Sequence, residues 1–250
     1  MSVLLLPLPE GQPFATRLST VLAADMAEIE WRRFPDSETY LRLITRCDGR
    51  ATAVVGSLDQ PDSRLLRVLF LADAARDLGA TSVGLIAPYL GYLRQDRRFK
   101  PGEAITSRTV GRVLSSSIDW LVTLDPHLHR YHSLSEIYGV PAYVAHAAPA
   151  IATWIATHVA EPLILGPDEE SAQWVESVAA QVGAPWTTLR KTRHGDRSVD
   201  VSMPDVEAYR GRTPVLLDDI ISSARTMVRS VQRLRDAGLA APYCIGVHAL

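Results

Sequence analysis

Short runs of apolar and β-branched residues alternate with helical patterns along this chain, and that rhythm constrains the fold more than any other feature. The runs VLLLPLP (3–9), TAVVGSL (52–58), SVGLIAPY (82–89), DWLVTLD (119–125), PLILGPD (162–168), WTTLRK (186–191), TPVLLDD (213–219) and PYCIGVHAL (242–250) read as strands. Between them LLRVLFLADAARDLGA (65–80), ITSRTVGRVLSSS (105–117), APAIATWIATHV (148–159), DEESAQWVESVAAQVG (168–183) and TMVRSVQRLRDAG (226–238) read as helices. Continuous apolar strands separated by helices predict an α/β protein whose mainly parallel sheets are covered by helices on both faces. In such folds ligands meet the residues just beyond strand C-termini. Asp125, Asp168 and the pair Asp218 and Asp219 each close a predicted strand. The alanine-rich stretch near 145–150 predicts a seam, with one half over 1–146 and the other over 147–250.

At 250 residues the chain exceeds one small core, and 47% hydrophobic with 22% charged residues is an ordinary globular balance. Its 26 Lys plus Arg against 28 Asp plus Glu leave a formal charge of −2. No general field then draws it to nucleic acid or to a membrane surface, so neither is an expected partner, and small anions need local clusters of cations. Cys47 and Cys244 lack the paired spacing of a zinc or redox motif, which fits a reducing, cytoplasmic setting. The apolar start has no basic lead and is broken by Pro7 and Pro9, so it reads as a first strand and not as a signal peptide. No apolar run reaches the ~20 residues that cross a bilayer.

Four segments carry chemistry. PYLGYLRQDRRFKPGE (88–103) places Arg94, Arg97, Arg98 and Lys100 around Gln95 and Asp96, after a strand. Guanidinium forks match phosphate oxygens, so the cluster suits a polyphosphate; the plain alternative is a solvated charged loop. TLDPHLHR (123–130) puts His127 and His129 past another strand, where an imidazole serves a phosphate, a metal, or merely a polar turn. LRKTRHGDRSV (189–199) brings Lys191 and Arg193 to a strand end leading into a loop with Gly195 and Arg197. Such a loop closes over a transferring phosphoryl group, or is an exposed hairpin.

The fourth segment, LLDDIISSARTMV (216–228), sets two carboxylates before the hydroxyls of Ser222, Ser223 and Thr226 at a helix start. Carboxylates for a diol and a positive helix end for a phosphate are what a phosphorylated sugar requires. Phosphate loops favour glycine, whose bare backbone approaches the anion closely. Here Ala224 and Arg225 stand in the middle. Helical φ/ψ is open to both, so the anion site survives if they adopt it; a left-handed conformation penalises them by ~1 kcal/mol or more each.

These segments, in order, resemble the ribose-phosphate pyrophosphokinases, most of all their short-loop archaeal-type branch. RRFPDSETYLRL is similar to the family's R-F-x-D-G-E segment, PYLGYLRQDRRFKPGEAIT to its ATP loop, TLDPHLHR to its D-x-H motif and VLLDDIISSARTM to its sugar-phosphate loop. The resemblance implies two phosphoribosyltransferase-like domains and transfer of the β,γ-diphosphoryl group of ATP to the 1-hydroxyl of ribose 5-phosphate, with Mg²⁺. It implies that Asp36 and Glu38 bind adenine across a subunit interface, in a homodimer or higher homo-oligomer, and that Arg94, Gln95, Asp96 and Arg97 hold ATP. His127 would lie on the triphosphate and metal, and Asp168 near metal and ribose. Lys191 and Arg193 match the catalytic pair, Asp218 and Asp219 the ribose ligands, and Ser222, Ser223, Ala224, Arg225 and Thr226 the 5-phosphate loop.

The chain departs from the family pattern at three points. Ser37 replaces a glycine between the acidic pair, a mild change; the sugar-phosphate loop lacks both glycines; and, most seriously, the chain stops at Leu250, where the family continues, so that either the sequence is shortened or the second half is minimal. Two alternatives follow. One is a catalytically impaired regulatory paralogue that binds nucleotide. The other is a type I phosphoribosyltransferase, which shares the acidic sugar loop but has no need of RQDRR or DPHLH.

Overall fold

The computed structural model describes residues 3–194, 198–202 and 206–250. These form two compact units, Met1–Ala145 and His146–Leu250.

In the first unit the elements are β1 (Leu4–Pro7), α1 (Gln12–Leu22), β2 (Asp25–Met26), β3 (Ile29–Arg33), β4 (Thr39–Leu43), β5 (Ala51–Val55), α2 (Pro61–Asp77), β6 (Ser82–Ala87), α3 (Thr106–Ser115), β7 (Trp120–Leu124) and β8 (Ala142–Ala145). Six strands join in the order β2-β1-β5-β6-β7-β8, every pair parallel. The period-2 alternation of a strand sends neighbouring residues to opposite faces, and here both faces are apolar. Leu4, Leu6, Val54, Leu85 and Leu121 pack with Val68, Leu71 and Ala75 of α2 and Leu114 of α3. Leu5, Ala53 and Val55 pack with Ala15 of α1 on the other face. At ~25 cal/mol per Å² of apolar surface, strands buried on both sides supply most of what opposes chain entropy. A separate antiparallel hairpin, β3 with β4, packs Trp31 and Leu41 onto the first of these cores.

The second unit contains α4 (Ala148–His158), β9 (Pro162–Gly166), α5 (Ala172–Val182), β10 (Trp186–Thr188), β11 (Arg190–His194), β12 (Ser198–Ser202), β13 (Thr213–Ile221), α6 (Arg225–Asp236) and β14 (Tyr243–Ala249). Its sheet runs β10-β9-β13-β14, again all parallel. Ile164, Val215 and Leu217 face α4 and α5, while Leu163, Leu165 and Leu216 face Met227 and Leu234 of α6. The predicted α/β class, with mainly parallel sheets flanked by helices, is what forms.

Three features differ from the expected elements. The segment WTTLRK is not one strand: β10 stops at Thr188, and Lys191 and Arg193 lie within β11, paired antiparallel with Val201 and Val199 of β12. The carboxylates do not end β13, which continues to Ile221 against β14. The hairpin β3–β4, helix α1 and strand β8 add structure where the apolar rhythm predicts none.

Candidate functional site

In the second unit the chain passes from β9 to β10 on one side and later returns to β13 on the other, so β9 and β13 flank the point where strand order reverses. Crevices at such points are where open parallel sheets bind ligands. The pairing of β13 with β9 ends at Leu216 with Leu165. Asp218 and Asp219 therefore stand beyond the carboxyl end of β9, and Asp168 leaves that same end. All three are half-buried. Burial, then the charge of Asp219, a hydrogen bond between the two carboxyl groups and the charge of Asp168 push the Asp218 carboxyl up to about 7. Negative charge is crowded at Asp218. That is the environment for sugar hydroxyls as donors or for a hard cation.

The turn that carries Asp168 depends on a close approach. Ser171 Oγ donates to the Asp168 carbonyl at 2.6 Å. It lies 2.1 Å from where a Cβ on Gly166 would be, so any larger residue at the end of β9 has to displace the Ser171 hydroxyl.

After β13 the exposed Ser222 and Ser223 lead to α6, whose N-terminus no side chain caps. Its first N–H groups, unsatisfied within the helix, are available to an anion. Arg225 opens the helix in the expected conformation and is exposed, as is Thr226. Ala224 is different: its φ of 55° and ψ of 4° are left-handed. The expectation of a helical Ala224 is thus corrected. The backbone has kept a geometry that glycine would adopt without strain, at a cost of ~1 kcal/mol or more for alanine. The same holds at Ser37, with φ 75°. The supposedly mild change from glycine is a strained one, because the five-residue turn closes through Ser37 N–H to the Phe34 carbonyl and Phe34 N–H to the Glu38 carbonyl.

In the first unit the loops after the adjacent strands β6 and β7 lie side by side, tied where Thr123 Oγ1 and the Leu124 N–H both donate to the Pro88 carbonyl. Arg94 and Arg97 are exposed and Gln95 is half-buried. Asp96 is buried at 5% exposure. Its carboxylate oxygens accept from Arg130 Nη1 at 2.8 and 2.9 Å. Below them Ser107 and Tyr131 hold the backbone carbonyls of Gln95 and Asp96. Glu103 shapes the rest of the loop by accepting from the Phe99 and Lys100 N–H groups. His127 is half-buried and meets His129 edge to face, ring centroids 5.6 Å apart. On the β3–β4 turn Asp36 and Glu38 are exposed, and Asp36 Oδ1 accepts from the Glu38 N–H at 3.2 Å.

The structure therefore brings together Asp168, Asp218 and Asp219 in one unit, and the loops bearing Arg94 to Arg97 and His127 in the other. The side chains of Lys191 and Arg193 lie outside the described residues, as do Gly195 and Arg197. Among the described residues no three His, Cys, Asp or Glu side chains group as a metal cage. Two hollows, of 190 Å³ beside Trp31 and Arg67 and of 450 Å³ beside Trp154 and Cys244, are lined by none of these residues. Charge and loop geometry, more than concavity, mark the site. Sequence reasoning gave no role to Gly166, Ser171 or Phe99; a glycine closing a buried strand was the available signal for the first.

Comparison with known proteins agrees with this arrangement. Residues 3–117 match the N-terminal domain of ribose phosphate pyrophosphokinase, and residues 133–250 match the phosphoribosyl transferase domain. The chain is 36% identical over 251 residues to a ribose-phosphate pyrophosphokinase of Methanopyrus kandleri, covering 99% of this chain and 84% of that one. It is 31% identical to the Halobacterium salinarum protein of the same name, over 90% and 79% of the two chains, and 32% identical to that of Saccharolobus solfataricus, over 93% and 80%. The crystal structure of phosphoribosylpyrophosphate synthetase from Mycobacterium smegmatis superposes with a TM-score of 0.87 over 100% of this chain and 82% of that one; at 23% identity it supports the fold.

Proposed function

The chain belongs to the ribose-phosphate pyrophosphokinase family, and from that premise we infer that it transfers the β,γ-diphosphoryl group of ATP to the 1-hydroxyl of ribose 5-phosphate, giving phosphoribosyl pyrophosphate and AMP. The observation that carries this beyond family membership is the end of β13 and the loop after it, where two adjacent half-buried carboxyl groups precede an uncapped helix start with a left-handed entry at Ala224.

In this reading Asp218 and Asp219 accept hydrogen bonds from the ribose hydroxyls, and the N–H groups of α6 with Ser222, Ser223 and Thr226 receive the 5-phosphate. The ribose 1-hydroxyl attacks the β-phosphorus in line and releases its proton to solvent; the bond from that phosphorus to the α,β-bridging oxygen breaks, and AMP leaves with that oxygen. Lys191 and Arg193 neutralise the charge that spreads over the transferring group. Arg94, Gln95, Arg97 and His127 hold the triphosphate, and Asp36 and Glu38 reach the adenine held by a neighbouring copy in a homo-oligomer. Magnesium is a hard cation that takes oxygen ligands; in the second unit the Asp168 carboxylate would help to hold it, and in the first His127 would meet the triphosphate and its metal. When bound it offsets the phosphate charge that would otherwise keep the two substrates apart. A cytoplasmic location accords with the free thiols of Cys47 and Cys244. Among the described residues no helix is long and apolar enough to cross a membrane.

Neither alternative is favoured. The ATP-loop and DPHLH segments, superfluous to a type I phosphoribosyltransferase, form ordered neighbouring loops. Arg225 is exposed at the start of α6, which supports a sugar-phosphate loop that the arginine does not close. The test is a coupled assay with purified chain, ATP, Mg²⁺ and ribose 5-phosphate. Release of AMP that depends on ribose 5-phosphate is expected; release of ADP in its place, or no release, overturns the reading.

A further inference from the structure

Arg130 lies outside the residues assigned above, yet a buried carboxylate holds it in place. One nitrogen, Nη1, donates to both oxygens of the buried Asp96 carboxylate, whose side chain is only 1% exposed. No described residue accepts from Nε or Nη2, so the rest of the donor fork remains available. The Arg130 side chain is itself 37% exposed. Its guanidinium carbon lies 5.5 Å from the centre of the Phe99 ring, and that of Arg97 lies 5.1 Å from the same centre. Phe99 is 55% exposed. Two cations thus converge on one aromatic ring at the edge of the loop. Each is attracted to the ring face, by ~0.5–1 kcal/mol at an exposed site, but they repel each other. The only described carboxylate paired with either belongs to Asp96.

We propose that Arg130 is a further polyphosphate-binding residue, positioned by Asp96 and set beside Arg97 by the Phe99 ring. A phosphate chain supplies the anion this pair lacks. The buried ion pair removes the orientational freedom that an arginine otherwise loses on binding. Asp96 then acts through Arg130 as a positioning residue and does not itself meet the nucleotide. The proposal deepens the nucleotide reading of this loop and rests on it.

Titration calorimetry on the full chain, with MgATP, ADP and AMP in turn, tests it. Arg130→Ala is expected to weaken MgATP by ten-fold or more, the scale of a lost charge-assisted contact, and AMP by less than two-fold. Arg130→Lys keeps a charge on a flexible stem and cannot serve carboxylate and phosphate together, so it recovers little. It also probes the fork if the alanine variant does not fold. Asp96→Asn should show the same preference for loss of ATP over AMP, to a smaller degree. An Arg130→Ala protein that binds MgATP like wild type overturns the proposal. So does one that loses ATP and AMP alike, which marks a structural role. Wild type that binds MgATP but releases no AMP with ribose 5-phosphate rejects the reaction while leaving Arg130 to be decided by these titrations; wild type that binds no MgATP rejects both.

Discussion

Asp218 and Asp219 are adjacent and half-buried near the end of β13, so burial first and then the charge of Asp219 oppose ionisation of the Asp218 carboxyl. In the unfolded chain both carboxyls are hydrated and water screens them from each other, and there an aspartate titrates near 4. In the fold Asp218 is pushed up to about 7. Between those values the folded chain binds more protons than the unfolded one. The stability linked to this group is fully present below about pH 4 and is lost as pH rises through about 7.

Asp218→Asn should therefore stabilise the ligand-free protein at pH 8, by about 1–2 kcal/mol after allowance for solvent screening, and make little difference at pH 4. Urea unfolding at both values checks this. A stabilisation equal at the two pH values would mean that ionisation of Asp218 is not its source.

Glycine should relieve the two left-handed positions that lack it. Ser37→Gly and Ala224→Gly are each expected to raise stability by ~0.5–1 kcal/mol, the left-handed penalty less the extra entropy glycine brings to the unfolded chain. Arg225→Gly, within the first turn of α6, should instead destabilise by a similar amount and leave ribose 5-phosphate affinity within about ten-fold. If wild type cannot bind the sugar phosphate and this variant can, the arginine closes the loop after all.

The cations of β11 are predicted to act on the transition state. Lys191→Ala and Arg193→Ala should each lower kcat by at least ~100-fold with little change in ATP affinity. Near-normal turnover in both would remove them from the mechanism.

Gly166→Ala should displace Ser171 and, through it, the turn that presents Asp168. We expect a loss of ~1–3 kcal/mol in stability and weaker ribose 5-phosphate binding. Adding Ser171→Gly clears the space and should recover much of the stability. A single variant as stable as wild type would show that the turn gives way freely.

The strands were legible because both sheet faces are buried, so apolar runs such as LLLP and VLL needed no alternation to be recognised. The hairpin β3–β4 was not, although its sequence was singled out. IEWRR and TYLRL mix charged with apolar residues, and the connecting turn lacks the Asn-Gly signature that announces a hairpin. The left-handed Ala224 was equally hidden, since alanine does not advertise that conformation and only the surrounding backbone imposes it. Asp96 shows a third limit. A carboxylate among four cations looks like part of a ligand site, and only the fold reveals that Arg130, thirty-four positions later, turns it inward.

Strand β1 lies between β2 and β5, and Leu4 takes its register from both Asp25 and Thr52. The second of these partners arrives only after α1 and the hairpin have been laid down, a closure about fifty residues long. Until then Leu4, Leu5 and Leu6, all fully buried in the finished sheet, have one short neighbour and an open edge. A fully buried strand of the first unit is thus also its longest-waiting one, and the interval before β5 docks is when a nascent or refolding chain is most exposed to pairing with the wrong partner.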